Sequence, residues 1–278
     1  MGYDTLILSG GSIKGISFLG SFKYLLDNEK IKRNELKHII SASVGALMAI
    51  TFLFNIKIEM FYKIIKETKI NIVDKEDYKL ENLFNEFGFY DNMIVDKYVG
   101  VLCKYILKRD NITLRELYKI NKIKFTVKVS NITNNSVEYF NYKNQPNLDI
   151  KTLVKMTTGI PIVFKPVYYK GCLYSDGATG GGLPIEYNKS KNYLAIILSS
   201  LKRDSIPENP NILQYLDNLI NVQYQINDFN IYKKYKNLII IDLNIPLKFD
   251  TNDEEKEKLL IEGFKQTKEF FKDLEQYS

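Results

Sequence analysis

Ser43 sits inside "HIISASVGALMAI" (38–50), two residues after Ser41 and two before Gly45. An apolar run meets another apolar run there with almost no residues left for a loop. A serine in that setting suits a nucleophile elbow, a sharp strand-to-helix turn that lifts one hydroxyl clear of the backbone. Small neighbours are required because strand and helix converge, and Ser41 and Gly45 meet that need. A second candidate lies one unit earlier, at Gly10-Gly11-Ser12-Ile13-Lys14-Gly15. Such a turn at a helix start offers backbone N–H groups to an anion. Dinucleotide binding would need a glycine where Ser12 stands, and a phosphate-binding P-loop would need Lys-Ser/Thr after Gly15, where the chain has Ile16-Ser17. What remains is a purely structural turn or an oxyanion hole from amides of Gly10, Gly11 and Ser12. Lys14 adds to the case, because a cation in a first helical turn opposes the helix dipole and is normally disfavoured there.

A nucleophilic serine needs a base. His38 is the only histidine. Five residues along an extended strand place it on the order of 16 Å from Ser43, whereas proton transfer needs about 3 Å. A Ser-His-Asp triad is therefore excluded, and the base must be a carboxylate or a lysine. Asp176, between "GCLYS" and Gly177-Ala178, stands at a strand end in a glycine-rich loop, where functional side chains tend to project. An ordinary turn aspartate bonding its own backbone is the competing role. At a reference pKa of about 3.9 an aspartate is a weak base, so catalysis by Asp176 demands desolvation or strong orientation.

These groups need elements to carry them. The chain reads as a strand at 5–8, a Gly-Gly turn and a helix from about Ile16 whose face includes Leu19, Phe22, Lys23, Leu25 and Leu26; "LKHIISASVGALMAITFLF" repeats the plan. Two successive βα units predict a mostly parallel sheet covered by helices. Residues 56–107 read as mostly helical, with loop signals around "EFGFYDN". Thr113 and Glu116 form a capping box. "KFTVKVSNI" and "VEYFNY" alternate like strands, "DIKTLVKMTTG" reads as a helix ending at Gly159, and Lys170-Gly171 reads as a hairpin turn. "NYLAIILSS" and "NLIIIDLNI" read as buried strands, followed by a final amphipathic helix. With no linker or repeat, residues 1–278 are expected to form one domain.

The 278 residues, 45% hydrophobic and 26% charged, have ordinary globular composition, and the net charge of +6 is modest. It argues weakly for an anionic partner; no nucleic-acid partner is expected. Two cysteines, Cys103 and Cys172, build neither a disulfide framework nor a CxxC metal site, so a reducing, intracellular compartment is expected, with no metal. The N-terminus lacks the basic and cleavage features of a signal peptide, and no apolar run approaches the roughly 20 residues of a membrane span.

The three motifs in this order resemble those of the patatin-like phospholipases. That family has a Gly-Gly-Gly-x-Lys/Arg-Gly oxyanion loop, a Gly-x-Ser-x-Gly elbow and an Asp-Gly-Gly/Ala motif, matched here by residues 10–15, 41–45 and 176–178. "TTGIPIVFKPVYYKGCLYSDGATGGGLPI" and "NITLRELYK" are also similar, so the likeness covers about residues 4–200, with 201–278 completing the same domain. Two positions depart. Ser12 replaces the third glycine but keeps an amide, so it is expected to cost little; Ser41 replaces the first elbow glycine. The resemblance implies a three-layer α/β/α fold, a Ser43–Asp176 dyad, no cofactor, and a phospholipid or other acyl-ester lipid as substrate.

A long acyl chain needs an apolar groove, and 56–107 is the expected source of its cap. Ile56, Met60, Phe61, Ile64 and Ile65 form one stripe, with Lys57, Lys63, Lys66 and Lys69 elsewhere. Core packing is the favoured reading of that stripe; the alternative is a helix lying on an anionic bilayer, which would make the protein peripherally membrane-associated. "YKKYKN" can likewise attract phosphate head groups or stay solvated. Two rivals to a hydrolase are a catalytically impaired lipid or membrane binder and, last, a nucleotide binder using the Gly10 loop.

Overall fold

The computed structural model describes residues 2–67, 80–200, 208–210, 214–215, 218–219, 222, 234–245 and 251–276. Lys69 and the start of "YKKYKN" lie outside these residues.

The chain is a mixed α/β protein built on a central sheet flanked by helices. Five parallel strands form its middle, in the order β10 (Leu238–Asp242), β9 (Tyr193–Ser199), β1 (Thr5–Leu8), β2 (His38–Ala42) and β4 (Lys124–Asn131). Beyond β4, the antiparallel strands β8 (Cys172–Ser175) and β7 (Val167–Tyr169) complete the path, and β5 (Ser136–Phe140) pairs with β4. The chain adds β2 and β4 on one side of β1, then returns to add β9 and β10 on the other. Sheets wound in this way open a crevice beyond the carboxyl ends of their strands, where the winding direction switches. Both glycine-bearing turns leave the sheet at that end.

Alternation along the strands builds two apolar layers. Leu6, Leu8, Phe125, Val127 and Val129 join the larger core with α1 (Ser17–Asp27) and α2 (Val44–Leu53). Ile7, Ile40, Ala195 and Ile197 face a smaller cluster closed by Leu183 and Ile185. Helix α2 is apolar all round and buried from Gly45 to Leu53, as expected of a helix enclosed on every side. The C-terminal helix, Asp253–Gln276, crosses α1 so closely that a methyl group on Gly20 would overlap the Leu260 carbonyl, and one on Gly263 the Ser17 carbonyl.

Several local expectations hold: the Thr113–Glu116 capping box starts α6 (Leu114–Asn121), and Lys170 (φ 50°) and Gly171 (φ 82°) form the two-residue turn of the β7–β8 hairpin. Two differ. The first helix is preceded by a 3-10 turn, Ser12–Ile16. "EFGFYDN" contains a strand, β3 (Gly88–Tyr90), which pairs in parallel with β6 (Ile162–Phe164) and lies between α4 (Leu80–Glu86) and α5 (Met93–Leu102). In α3 (Ile58–Glu67) the apolar stripe turns inward, with Ile58, Phe61 and Ile65 buried. That contradicts a bilayer role for this stripe and agrees with core packing. No helix among the described residues is long and apolar enough to cross a membrane.

Candidate active site

Strand β2 ends at Ala42 and α2 begins at Val44, so Ser43 makes the whole turn alone. Its backbone adopts φ 50°, ψ −131°, a conformation that costs a non-glycine residue about 1–3 kcal/mol and persists only where its surroundings enforce it. Those surroundings are identifiable. The Ser43 amide donates to Thr157 Oγ1 (2.8 Å), and that hydroxyl donates to the Lys128 carbonyl (2.7 Å). Thr157 closes α7 (Ile150–Thr157). A methyl group on Gly45 would sit 2.6 Å from the Ser9 carbonyl oxygen, and one on Gly15 would overlap the Val44 side chain. The two turns therefore interlock, and each needs its glycine for the other to fit.

Asp176 arrives from β8. Ser43 Oγ donates to Asp176 Oδ2 at 2.7 Å, and both residues are 5% exposed. The other carboxylate oxygen accepts from the Ala178 amide at 2.7 Å. The Asp176 amide donates to the Gly159 carbonyl (3.0 Å), and its carbonyl accepts from the Ser130 and Thr179 hydroxyls. Burial pushes the carboxyl up from 3.8 to about 7, against the opposing pull of the Ser43 and Ala178 hydrogen bonds. Desolvation has thus turned an ordinarily weak base into one matched to neutral pH. A methyl group on Gly177 would overlap the Lys128 carbonyl, which explains the glycine after the aspartate.

The first turn closes the arrangement. A methyl group on Gly10 would come within 3.2 Å of Ser43 Cβ and 2.7 Å of Ala178 Cβ, so only glycine lets these segments meet. The Gly10 amide is committed to the Gly182 carbonyl (2.9 Å). The amides of Gly11 and Ser12 take no backbone acceptor among the described residues, and both residues are partly exposed. Ser12 has φ 50°, so its side chain carries strain a glycine would avoid. Lys14 is buried and donates to Ser200 Oγ at 2.8 Å, which ties the turn to the residue after β9. Ser41 is fully buried, and its hydroxyl has no hydrogen-bond partner among the described residues. His38 lies at the far end of β2, bonded to Thr126 Oγ1 at 2.9 Å, with burial foremost pushing its imidazole down to about 4. Thr157, Lys128 and Gly182 were not singled out from sequence. "MTTGIP" and the lysine inside an otherwise strand-like "TVKVS" were the available signals.

An open parallel sheet with a lone serine on a strand–helix elbow, facing a glycine-rich turn, defines a class. The chain belongs to the patatin-like phospholipase family, whose model matches residues 6–189. It is 29% identical over 198 residues to the probable lipid hydrolase 463L of Invertebrate iridescent virus 6, a match covering 68% of this chain and 66% of that protein. It is 28% identical over 181 residues to the uncharacterized protein R571 of Acanthamoeba polyphaga mimivirus, covering 65% and 59%. The matches therefore span less than two thirds of either relative. Among solved structures, the fold is similar to VipD from Legionella pneumophila (TM-score 0.61, 15% identity, 98% of this chain and 67% of that one). It is also similar to Pseudomonas aeruginosa ExoU bound to SpcU (TM-score 0.53, 12% identity, 98% and 52%).

Proposed function

We propose that the chain is a serine lipid acyl hydrolase cleaving fatty-acyl esters, phospholipids foremost, with Ser43 as nucleophile and Asp176 as general base. The observation that carries this reading is the 2.7 Å hydrogen bond between the two side chains, both buried beneath the first glycine turn. Asp176 takes the Ser43 proton as Oγ attacks the ester carbonyl. The amides of Gly11 and Ser12 stabilise the tetrahedral oxyanion, with Gly10 supplying the clearance. Collapse returns the proton to the departing alcohol and leaves an acyl-serine. Water then attacks with Asp176 again as base, releasing the fatty acid and restoring Ser43. No imidazole is needed, because burial has already given Asp176 its basicity.

Peripheral contact with a lipid surface is part of the proposal. On α5 and the turn after it, Met93, Val101 and Tyr105 are exposed at helical spacing among the exposed Lys97, Lys104 and Lys108. Apolar side chains interleaved with lysines suit an anionic bilayer surface; the stripe on α3, being buried, does not.

Fatty-acid release from a phospholipid and lysophospholipid panel tests the reading. Ser43→Ala and Asp176→Asn are each expected to abolish release in folded protein; wild-type rates in both variants would end it. The second reading, an impaired lipid binder, draws on the unpartnered hydroxyl of Ser41 in the elbow. A fluorophosphonate that fails to label Ser43 in folded chain, while vesicles still bind, would favour that reading.

A further inference from the structure

Lys128 lies mid-strand in β4 and is 1% exposed. Its neighbours Val127 and Val129 face the larger core, so its own side chain lies on the opposite face, under the segment that follows Asp176. Burying an ammonium costs several kcal/mol unless every donor is paired. Here all three are: Nζ donates to the Gly180 carbonyl (3.0 Å), the Gly181 carbonyl (3.1 Å) and Glu186 Oε1 (2.8 Å). Glu186 is held in turn by the Tyr139 hydroxyl. A leucine or methionine would fill this space without that cost. What the ammonium supplies instead is a clamp on two successive carbonyls, four and five residues past Asp176.

The connections on either side of this clamp all lead to the proposed site. One residue further on, the Gly182 carbonyl accepts the Gly10 amide at 2.9 Å. Gly177 lies flat on the Lys128 carbonyl, and that same carbonyl accepts from Thr157, the residue that holds the Ser43 amide. Lys128 therefore meets the elbow scaffold with its backbone and the Asp176-to-Gly10 bridge with its side chain.

We infer that Lys128 is a positioning residue: its ammonium fixes the 177–182 loop so that Asp176 and the first glycine turn keep their spacing about Ser43. The inference rests on the proposed Ser43–Asp176 chemistry. Displacements near 1 Å at reacting groups cost about 100-fold in rate, and loosening this loop acts on that scale.

The test uses the full chain, a soluble short-chain ester and fluorophosphonate labelling of Ser43, well below each variant's melting temperature. Lys128→Met is expected to lower kcat by about 10–100-fold with KM within about twofold, and to slow labelling in parallel. A merely structural lysine would lower the melting temperature and leave both rates unchanged. The double variant Lys128→Met/Glu186→Leu removes both charges; if Lys128 served only to neutralise Glu186, it would recover wild-type kcat. Under the inference it stays slow, because the Gly180 and Gly181 carbonyls remain unheld. Should Lys128→Met not fold, Lys128→Gln, which can still donate to a carbonyl, is expected to lose about 3–10-fold. Wild-type kcat in the single variants, or recovery in the double, overturns the inference while leaving the dyad standing. A wild-type chain that neither labels nor hydrolyses overturns the dyad, and the inference with it.

Discussion

The crossing of α1 with the C-terminal helix and the meeting of the three site segments use the same device, glycines that let backbones touch. At the crossing, Gly20 and Gly263 each lie on a carbonyl of the other helix. The polar side chains there are all bonded: Ser21 Oγ to the Gly263 carbonyl at 3.2 Å, and Thr267 Oγ1 to the same carbonyl at 2.8 Å. Around Ser43 the close approach has the opposite result. Two serines there hold φ 50°, one hydroxyl is unpartnered, and a carboxylate is stripped of water. At the helix crossing the close packing leaves the Ser21 and Thr267 hydroxyls bonded; around Ser43 it concentrates strain and an unpaired hydroxyl in one place.

The contrast can be broken from either side. The largest effect is expected from Asp176→Asn, which removes the proposed base: hydrolysis should fall by about 10³-fold or more. The same variant should be more stable than wild type at pH 8, by about 1–2 kcal/mol, because the buried charge is gone. The sign follows from linkage: a carboxyl whose folded pKa is raised to about 7 from 3.8 takes up protons on folding between those values, so wild-type stability falls as pH rises through that window. Denaturant melts at pH 5 and pH 8 check it; an Asp176→Asn chain less stable than wild type at pH 8 would contradict the burial argument. Next, Gly20→Ala should cost about 3 kcal/mol or more, since its methyl meets backbone and not a movable side chain. Its activity per folded molecule should stay within a fewfold of wild type, as calorimetry and active-site labelling would show. Third, hydrolysis of a soluble ester should rise through an acid limb near pH 7, reporting Asp176; a limb near pH 4 would mean that water reaches the carboxylate. The smallest effects lie in the elbow. Ser43→Gly should be about 1 kcal/mol more stable than Ser43→Ala, because glycine accepts the positive φ. Ser41→Ala, which removes an orphaned hydroxyl, should be neutral or stabilising by up to about 1 kcal/mol.

Much of the site could be read from sequence because its constraints are local. An apolar strand, one serine and an apolar helix leave a single way to make the turn, and the five-residue separation of His38 from Ser43 is enough to remove the histidine. The glycines of the motifs were legible as types, but their reasons were not: Gly10 answers to Ala178, Gly15 to Val44 and Gly177 to Lys128, all partners brought in by the fold. Strand β3 escaped notice because three residues give no alternation and its partner β6 lies more than seventy residues away. In β4, the alternation of "TVKVS" marks a strand but does not show that the segment after Asp176 covers Lys128. For the α3 stripe the favoured reading, core packing, holds. On α5, Val95, Tyr98, Val99 and Leu102 join the core while Met93 and Val101 are exposed, a division that only the packing partners decide.

The helix at 253–276 lies wholly outside the stretch that the family model matches, and it contains none of the motif residues. Yet its Gly263 rests on the carbonyl of Ser17, the first residue of α1, directly after the turn that carries Gly11 and Ser12. A fragment ending near residue 200 would keep every signature by which such a hydrolase is recognised and lose the buttress that holds its first turn steady. Such a fragment would be a lock with its cylinder intact and its frame removed.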